Sequence, residues 1–198
     1  VRITPQLIRV RDDTTVWADR YDRAGTDIFA LQAEVAENVV RAMGLALVPS
    51  EKAALRQIST SDLEAYDLYL RGLELIQRNQ SRQDLEAAIG NFQGAVDRDP
   101  RFAQAFAGLA QSHLLVHWYQ YDFLPDHVAK AREAAKKAVA LRPDLSETHT
   151  ALGFYYYHGL LDYGRALDEF SLALKLHPNS AGTLFAMATV MRRQGRWE

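Results

Sequence analysis

The chain has 198 residues, of which 48% are hydrophobic and 24% are charged, a composition typical of a globular protein with a buried core. Its 23 basic and 25 acidic side chains leave a formal net charge of −2, without the positive excess expected of a protein that binds nucleic acid or an anionic membrane. The absence of cysteine excludes disulfides and thiolate-ligated zinc, and it is compatible with either the cytoplasm or the periplasm.

The two ends of the chain indicate that it is part of a larger protein. It begins at Val1 rather than at a methionine, and it ends at Glu198 within a helical pattern. No stretch approaches the roughly 20 consecutive apolar residues of a membrane-spanning helix, so we expect no direct membrane insertion. Any membrane anchor or catalytic domain of the parent protein is therefore expected outside these residues.

The N-terminal segment has the pattern of a β-hairpin followed by helices. Residues 1–7 and 15–21 alternate apolar and polar side chains, which is typical of strands. Over residues 28–43 the apolar side chains recur every three to four positions, which predicts an amphipathic helix. We expect Pro49 to end this helix and residues 50–58 to form a second, shorter one.

Three later segments share a pattern in which an alanine precedes a proline by five positions: Ala95 and Pro100, Ala138 and Pro143, Ala173 and Pro178. The prolines are 43 and 35 residues apart, close to the period of about 34 residues in tetratricopeptide repeats. Phe92 and Phe170 stand three positions before the first and third of these alanines. Small residues at this spacing let two antiparallel helices approach closely while the phenylalanine fills the gap, and the proline ends the second helix.

From about Leu63 to the C-terminus the chain resembles the tetratricopeptide-repeat family. The resemblance implies a mainly α fold, a solenoid of antiparallel helix pairs, here with a small N-terminal α/β cap. About nine residues are inserted in the second repeat. The repeats are expected at residues 62–100, 101–143 and 144–178, followed by a half repeat at 179–198. Capping-box spacing predicts that helices begin after Ser61 and after Asp144.

Residues 1–58 carry a second resemblance. The runs at 1–8, 16–22 and 27–32 are similar to a TolB-like segment found beside repeats in bacterial signalling proteins related to class III adenylate or guanylate cyclases, or to winged-helix regulators. Residues 65–72 resemble the first repeat of that group. The resemblance implies a cyclase-linked parent. Because the sequence contains none of the cyclase motifs, we expect no enzyme activity from the chain itself.

Metal and catalytic sites have little support in the sequence. His113 and His117 stand four positions apart on one predicted helix, but two ligands do not make a closed metal site. The chain has neither a glycine-flanked nucleophilic serine nor a glycine-rich phosphate loop. We therefore expect no bound metal or cofactor, and we assign Asp168 and Glu169 to a solvated helix face.

A binding surface is the better-supported hypothesis, because stacked helix pairs create an extended concave surface. The repeat register places an aromatic and polar set on the first helices, with two arginines at one end, which suits a helix or an extended peptide with an acidic end. The aromatic members have an alternative role in packing between neighbouring repeats. The predicted groove residues are Tyr69, Gln104, Gln111, Thr150, Phe154, Tyr157, His158, Phe185, Thr189, Arg192 and Arg193.

Two functional hypotheses follow. The first is a scaffold or regulatory module that binds a protein or peptide partner within a bacterial signalling protein. The alternative is a small-molecule sensor with its ligand between the cap and the repeats. A homodimer is also expected, through the hairpin edge or the open end of the repeats. We expect the insertion aromatics, including Trp118, chiefly to cover the helix pair rather than to form a ligand pocket.

Overall fold

The computed structural model describes residues 2–22, 28–45, 59–78, 81–121 and 126–196. The chain folds as two compact units, residues 1–58 and 59–198. None of the helices in these described ranges combines the length and the apolar character that crossing a bilayer requires.

Among its described residues, 2–22 and 28–45, the first unit contains two small antiparallel sheets and one helix. Strand β1 (Arg2–Ile3) pairs with β4 (Tyr21–Asp22), and β2 (Gln6–Arg9) pairs with β3 (Thr14–Ala18), with a register shift between Leu7 and Ile8. Helix α1 spans Ile28–Ala42. The alternating segments therefore do form a hairpin, and the amphipathic pattern does form a helix.

The end of α1 differs from the sequence prediction. The helix ends before Gly44, whose φ of 75° lies in the left-handed region that glycine adopts readily. The amides of Gly44 and Leu45 donate back to the carbonyls of Arg41 and Val40, which satisfies the last turn. Pro49 is therefore not the residue that ends α1. The predicted second helix at 50–58 lies outside the described residues.

The core of this unit is small. Tyr21, Leu31 and Ala33 are each less than a tenth exposed. The Tyr21 hydroxyl accepts a hydrogen bond of 2.6 Å from Asn38 Nδ2, so the last strand is joined to the middle of α1. A two-stranded ribbon is marginal in water without such support.

The second unit is an array of antiparallel helix pairs. The first pair is α2 with α3, the second α4 with α5, and the third α6 with α7; α8 packs on α7 and starts the next repeat. This confirms the predicted mainly α repeat fold. The bounds are α2 Leu63–Gln77, α3 Arg82–Arg98, α4 Ala103–Trp118, α5 Asp126–Leu141, α6 Ser146–Phe154, α7 Tyr163–Leu176 and α8 Ala181–Arg193.

Close helix contact depends on glycine facing phenylalanine. The Phe92 ring is fully buried, and a Cβ atom added to Gly72 or Gly108 would stand 2.7 or 2.5 Å from its carbon atoms. Phe170 has the same relation to Gly153, at 2.5 Å. The prediction that small residues admit a space-filling phenylalanine between helices is therefore confirmed.

Both predicted helix starts are displaced by one residue. Asp62, not Ser61, caps α2, and one of its carboxylate oxygens accepts hydrogen bonds from the amides of Glu64 and Ala65 at 2.9 Å. The N-cap residue of α6 is Leu145, which makes no side-chain cap hydrogen bond. The Asp144 carboxylate accepts two hydrogen bonds from the Arg142 guanidinium, at 2.7 and 2.8 Å, a bidentate charged pair.

Helix α6 continues into a π-helical turn, Tyr155–Gly159, which the sequence did not predict. The chain leaves this turn through Leu161, whose φ is 55°. The Asp162 amide donates to the Tyr156 carbonyl at 2.8 Å, closing the turn. One extra residue in the turn changes the direction of the side chains that follow it.

Candidate functional site

A concave groove of about 710 Å³ runs across α2, α4 and α6, the first helices of the three pairs, and across α8. Residues one turn apart on α4 form a continuous stripe in it, and α6 and α8 contribute parallel stripes. All eleven residues predicted from the sequence line this groove. Their role in binding a partner stays a prediction, because side-chain position alone does not identify a ligand.

Several polar side chains of the groove are already bonded within the protein. Gln104 Nε2 donates to Ser59 Oγ at 2.9 Å. The Thr150 hydroxyl donates to the Ser146 carbonyl at 2.9 Å, and the Thr189 hydroxyl donates to the Phe185 carbonyl at 2.8 Å. The Gln111 side chain, in the middle of the stripe, has no hydrogen bond to another described residue and lines the groove.

Tyr69 closes the groove on the α2 side. Its ring lies 4.9 Å from that of Phe102 and 6.0 Å from that of Phe92, measured between ring centres. Burial, followed by the nearby charge of Glu147, raises the pKa of the Tyr69 hydroxyl. The hydroxyl therefore stays protonated near neutral pH and can donate a hydrogen bond.

The aromatic residues divide between packing and exposure. Phe154 contacts Phe170 edge-on at 5.3 Å between ring centres, and Tyr157 is only 2% exposed. Phe154 and Tyr157 therefore pack within the repeat array, in agreement with the alternative role of the aromatic residues. Phe185 is 75% exposed, so packing between described helices does not account for it.

Trp118, at the C-terminal end of α4, also lines the groove, although it is not among the groove residues predicted from the sequence. His158 stacks on its indole with ring centres 4.4 Å apart, and Tyr157 lies 5.3 Å away. Trp118 therefore lines the groove as well as covering the helix pair. The helical spacing from Gln104 and Gln111 along α4 was the signal that could have found it.

Two arginines on α8 supply positive charge at this end. The Arg193 guanidinium carbon lies 5.7 Å from the centre of the Trp118 ring, within reach of a cation–π contact. Arg192 also lines the groove. Within the described ranges neither arginine has a carboxylate at ion-pair distance.

His158 is neutral near pH 7. Burial, with a smaller effect from the nearby His117, lowers the pKa of its imidazole to about 4. Its Nδ1 atom is buried and has no hydrogen-bond partner among the described residues, and the same is true of the Tyr157 hydroxyl oxygen. Unsatisfied buried polar atoms are rare in proteins, and here two occur in consecutive residues of the π-helical turn.

The structure does not pair His113 with His117, the two histidines whose spacing was weighed as a possible metal site. The partner of His113 is His127 on α5, with their Nδ1 atoms 2.9 Å apart. Among the residues that the structure describes, no group of three or more potential ligands is arranged for a metal ion. Burial, then the electrostatic effects of His127 and Lys130, lowers the pKa of His113 to about 4, so the His113 imidazole carries little charge near neutral pH.

Glu169 was wrongly assigned to a solvated helix face. Its Oε2 atom lies 2.8 Å from Nδ1 of His149, and the two side chains are only 22% and 7% exposed. The other ring nitrogen of His149 donates to the Pro143 carbonyl at 2.9 Å. This contact ties α6 to α7 behind the groove. Asp168, the neighbour of Glu169, is exposed as predicted.

No protein-family model matches the chain. The chain is 31% identical over 170 residues to "Putative adenylate cyclase 3" of Rhizobium meliloti (strain 1021), and this match covers 85% of the chain and 28% of the relative. The chain therefore spans little more than a quarter of the length of that protein.

Solved structures resemble the helical part. The first TPR domain of human RPAP3 superimposes with a TM-score of 0.52 at 17% identity, covering 67% of this chain and 93% of the domain. The first TPR of Spaghetti (RPAP3), bound to the HSP90 peptide SRMEEVD, gives a TM-score of 0.50 at 17% identity, covering 67% of this chain and 96% of that one. Identity at this level establishes the fold alone. Together with the helix pairs and their glycine–phenylalanine contacts, it shows that the helical part of this chain has the fold of these tetratricopeptide-repeat domains.

Proposed function

We propose that residues 59–196 are a non-catalytic module that binds a peptide segment of a protein partner in the groove. The observation that carries the proposal is Phe185, a large aromatic side chain that is 75% exposed on the concave face. Burying such a ring stabilises a complex substantially, and aromatic residues are enriched in interface cores. Arg192 and Arg193, which have no carboxylate partner among the described residues, lie about two turns further along the same helix.

The kind of ligand follows from the shape of the surface. Four parallel first helices form an open trough rather than an enclosed cavity, and troughs of this kind suit a helix or an extended strand. The Spaghetti structure, which has the same fold, contains a peptide, and this supports a peptide as the ligand class.

We place the module in a larger bacterial signalling protein linked to an adenylate cyclase. The support is the resemblance to the Rhizobium meliloti protein over 85% of this chain and the TolB-like pattern of residues 1–58. In this proposal the module recruits or regulates, and any cyclase chemistry belongs to another part of the parent.

The test is a selection with a randomised twelve-residue peptide library displayed on phage, using the whole 198-residue chain as bait. We expect enriched peptides that bind in the groove. Phe185→Ala should weaken a selected peptide by about tenfold, which corresponds to about 1.4 kcal/mol, and should leave the melting temperature unchanged.

Leu172→Ala is the matched control, because Leu172 is also exposed, at 39%, but lies on α7 and outside the groove lining. It should leave peptide affinity unchanged. Equal losses in both variants, or no enriched peptide at all, would contradict the proposal. A rise in melting temperature with small metabolites, in the absence of peptide binding, would favour the sensor hypothesis instead.

Dimerisation through the hairpin edge is a separate part of the proposal. The described strands form only two-stranded sheets, which leaves their outer edges without partners among the described strands, and exposed edges pair readily. Light scattering of the purified chain across a concentration series tests this, and a mass of one chain at every concentration would exclude it.

A further inference from the structure

Three elements of the repeat array converge at the C-terminal end of the groove. Helix α4 contributes Trp118, the π-helical turn contributes Tyr157 and His158, and α8 contributes Arg193. The indole of Trp118 is the centre of the cluster, with the His158 ring stacked at 4.4 Å and the Arg193 guanidinium carbon at 5.7 Å. We name these four residues the end cluster.

The end cluster holds polar atoms that the described protein does not satisfy. The Tyr157 hydroxyl oxygen and His158 Nδ1 are buried without a hydrogen-bond partner, and the Tyr157 side chain as a whole is only 2% exposed. Both residues line the groove. The tyrosine hydroxyl can donate one hydrogen bond, and Nδ1 of a neutral imidazole donates in the tautomer that carries its proton there, so both groups can serve a ligand that accepts.

The net charge of the groove indicates whether the accepting group is a carboxylate or a phosphate. Its lining contains two arginines and one carboxylate, that of Glu147, so its fully charged side chains sum to one positive charge. A single carboxylate balances that charge, whereas a phosphate dianion leaves an excess of negative charge in a partly buried site.

We propose that the end cluster is a subsite for one aspartate or glutamate side chain of the bound peptide. This rests on the proposed function of the groove. In this subsite the Arg193 guanidinium pairs with the carboxylate, and the Tyr157 hydroxyl donates to the same carboxylate once the side chains around it move aside. His158 stays stacked on Trp118 and provides a second neutral donor.

The test uses the peptides selected from the phage library and, for each, a copy with its acidic residue changed to the corresponding amide. We expect an aspartate or glutamate at a fixed position, and an amide copy that binds the wild-type chain about tenfold more weakly. Against Arg193→Gln the acidic and amide peptides should bind equally. Arg71→Gln is the matched control, because Arg71 pairs with Asp67 on α2 and lies outside the groove.

Tyr157→Phe separates binding from folding. It removes only a hydroxyl that has no partner among the described residues, so the melting temperature should not fall, while affinity for the acidic peptide should fall about fivefold. Peptides that bind without any acidic preference would overturn the subsite and leave the groove proposal standing. Tighter binding of a phosphoserine copy would overturn the carboxylate assignment. If no peptide is enriched, the groove proposal fails, and the subsite fails with it.

Discussion

Gly108 on α4 lies so close to Phe92 on α3 that a Cβ atom at position 108 would stand 2.5 Å from the phenylalanine ring. Real Cβ atoms do not approach a ring this closely, and Phe92 is completely buried, so it cannot move aside without disturbing the core. Gly108→Ala should therefore lower the free energy of unfolding by about 1–2 kcal/mol, the overpacking cost exceeding the helix propensity gained. Urea denaturation measures the change.

Gly90 offers a matched comparison for that substitution. It lies in the interior of α3, it is exposed, and nothing stands within 4 Å of its would-be Cβ atom. Gly90→Ala should raise the free energy of unfolding by about 0.5–1 kcal/mol, because alanine has the higher helix propensity. If Gly108→Ala and Gly90→Ala both raise the free energy of unfolding, the close approach of Gly108 to Phe92 does not limit the residue at position 108.

The His113–His127 contact predicts that acid destabilises the fold. The folded-state pKa of His113 is lowered to about 4 from an ordinary value of 6.5, so the unfolded chain binds the proton more readily. Stability is therefore fully present above pH 6.5 and is lost as the pH falls from 6.5 towards 4. By proton linkage, this one histidine contributes a loss of about 2 kcal/mol between pH 7 and pH 5.

The measurement is the free energy of unfolding at several pH values for the wild type and for His113→Gln. The variant should lose about 2 kcal/mol less stability than the wild type between pH 7 and pH 5. His158, whose pKa is also lowered to about 4, remains in both proteins and contributes a similar slope. Identical slopes in the two proteins would show that His113 is protonated equally well in the folded and unfolded states.

Glu169 should contribute more to the free energy of unfolding than its charged neighbour, Asp168. Glu169→Ala leaves Nδ1 of the buried His149 without its partner, and we expect a loss of about 1–3 kcal/mol in unfolding free energy. Glu169→Gln keeps a hydrogen-bonding group and should retain most of the stability. Asp168→Ala, at an exposed position, should change stability by less than about 0.5 kcal/mol. Similar losses at positions 168 and 169 would rule out this account.

Leu161, two residues after the π-helical turn, has a φ of 55°. A left-handed conformation costs a non-glycine residue about 1–2 kcal/mol, and Leu161 is 58% exposed, so little packing is lost on its removal. Leu161→Gly should therefore raise the melting temperature. Leu160→Gly is the control: Leu160 has a φ of −121° and a comparable exposure of 44%, and its replacement should lower the melting temperature.

Much of the repeat fold was predictable because its determinants are local. The alanine–proline spacing and the phenylalanines identify the helix pairs, and the repeat register projected onto the first helices gives their concave stripe. All eleven predicted groove residues lie in the groove for this reason. The positions of the helix starts were harder to predict, because Ser61 and Asp62 are both good caps. Asp62, the residue that does cap α2, also accepts a hydrogen bond at Oδ1 from Arg98 Nε, at 3.2 Å.

Contacts between helices were also hard to predict. His127 lies on the helix after the insertion, so nothing in the sequence pairs it with His113. Glu169 has the pattern of a surface residue, and only the packing of α6 on α7 brings it to His149. The π-helical turn depends on a shift of one hydrogen bond within an aromatic run, which propensity does not detect.

That turn has a consequence for how the groove could diversify. In a regular helix the direction of a side chain is fixed by its count from the helix start, about 100° per residue. One extra residue within Tyr155–Gly159 changes the direction of only the side chains that follow it, and the helix before it keeps its geometry. Repeats of one common design can therefore acquire different ligand preferences through insertion or deletion of a single residue, with no substitution among the residues that hold the helices together.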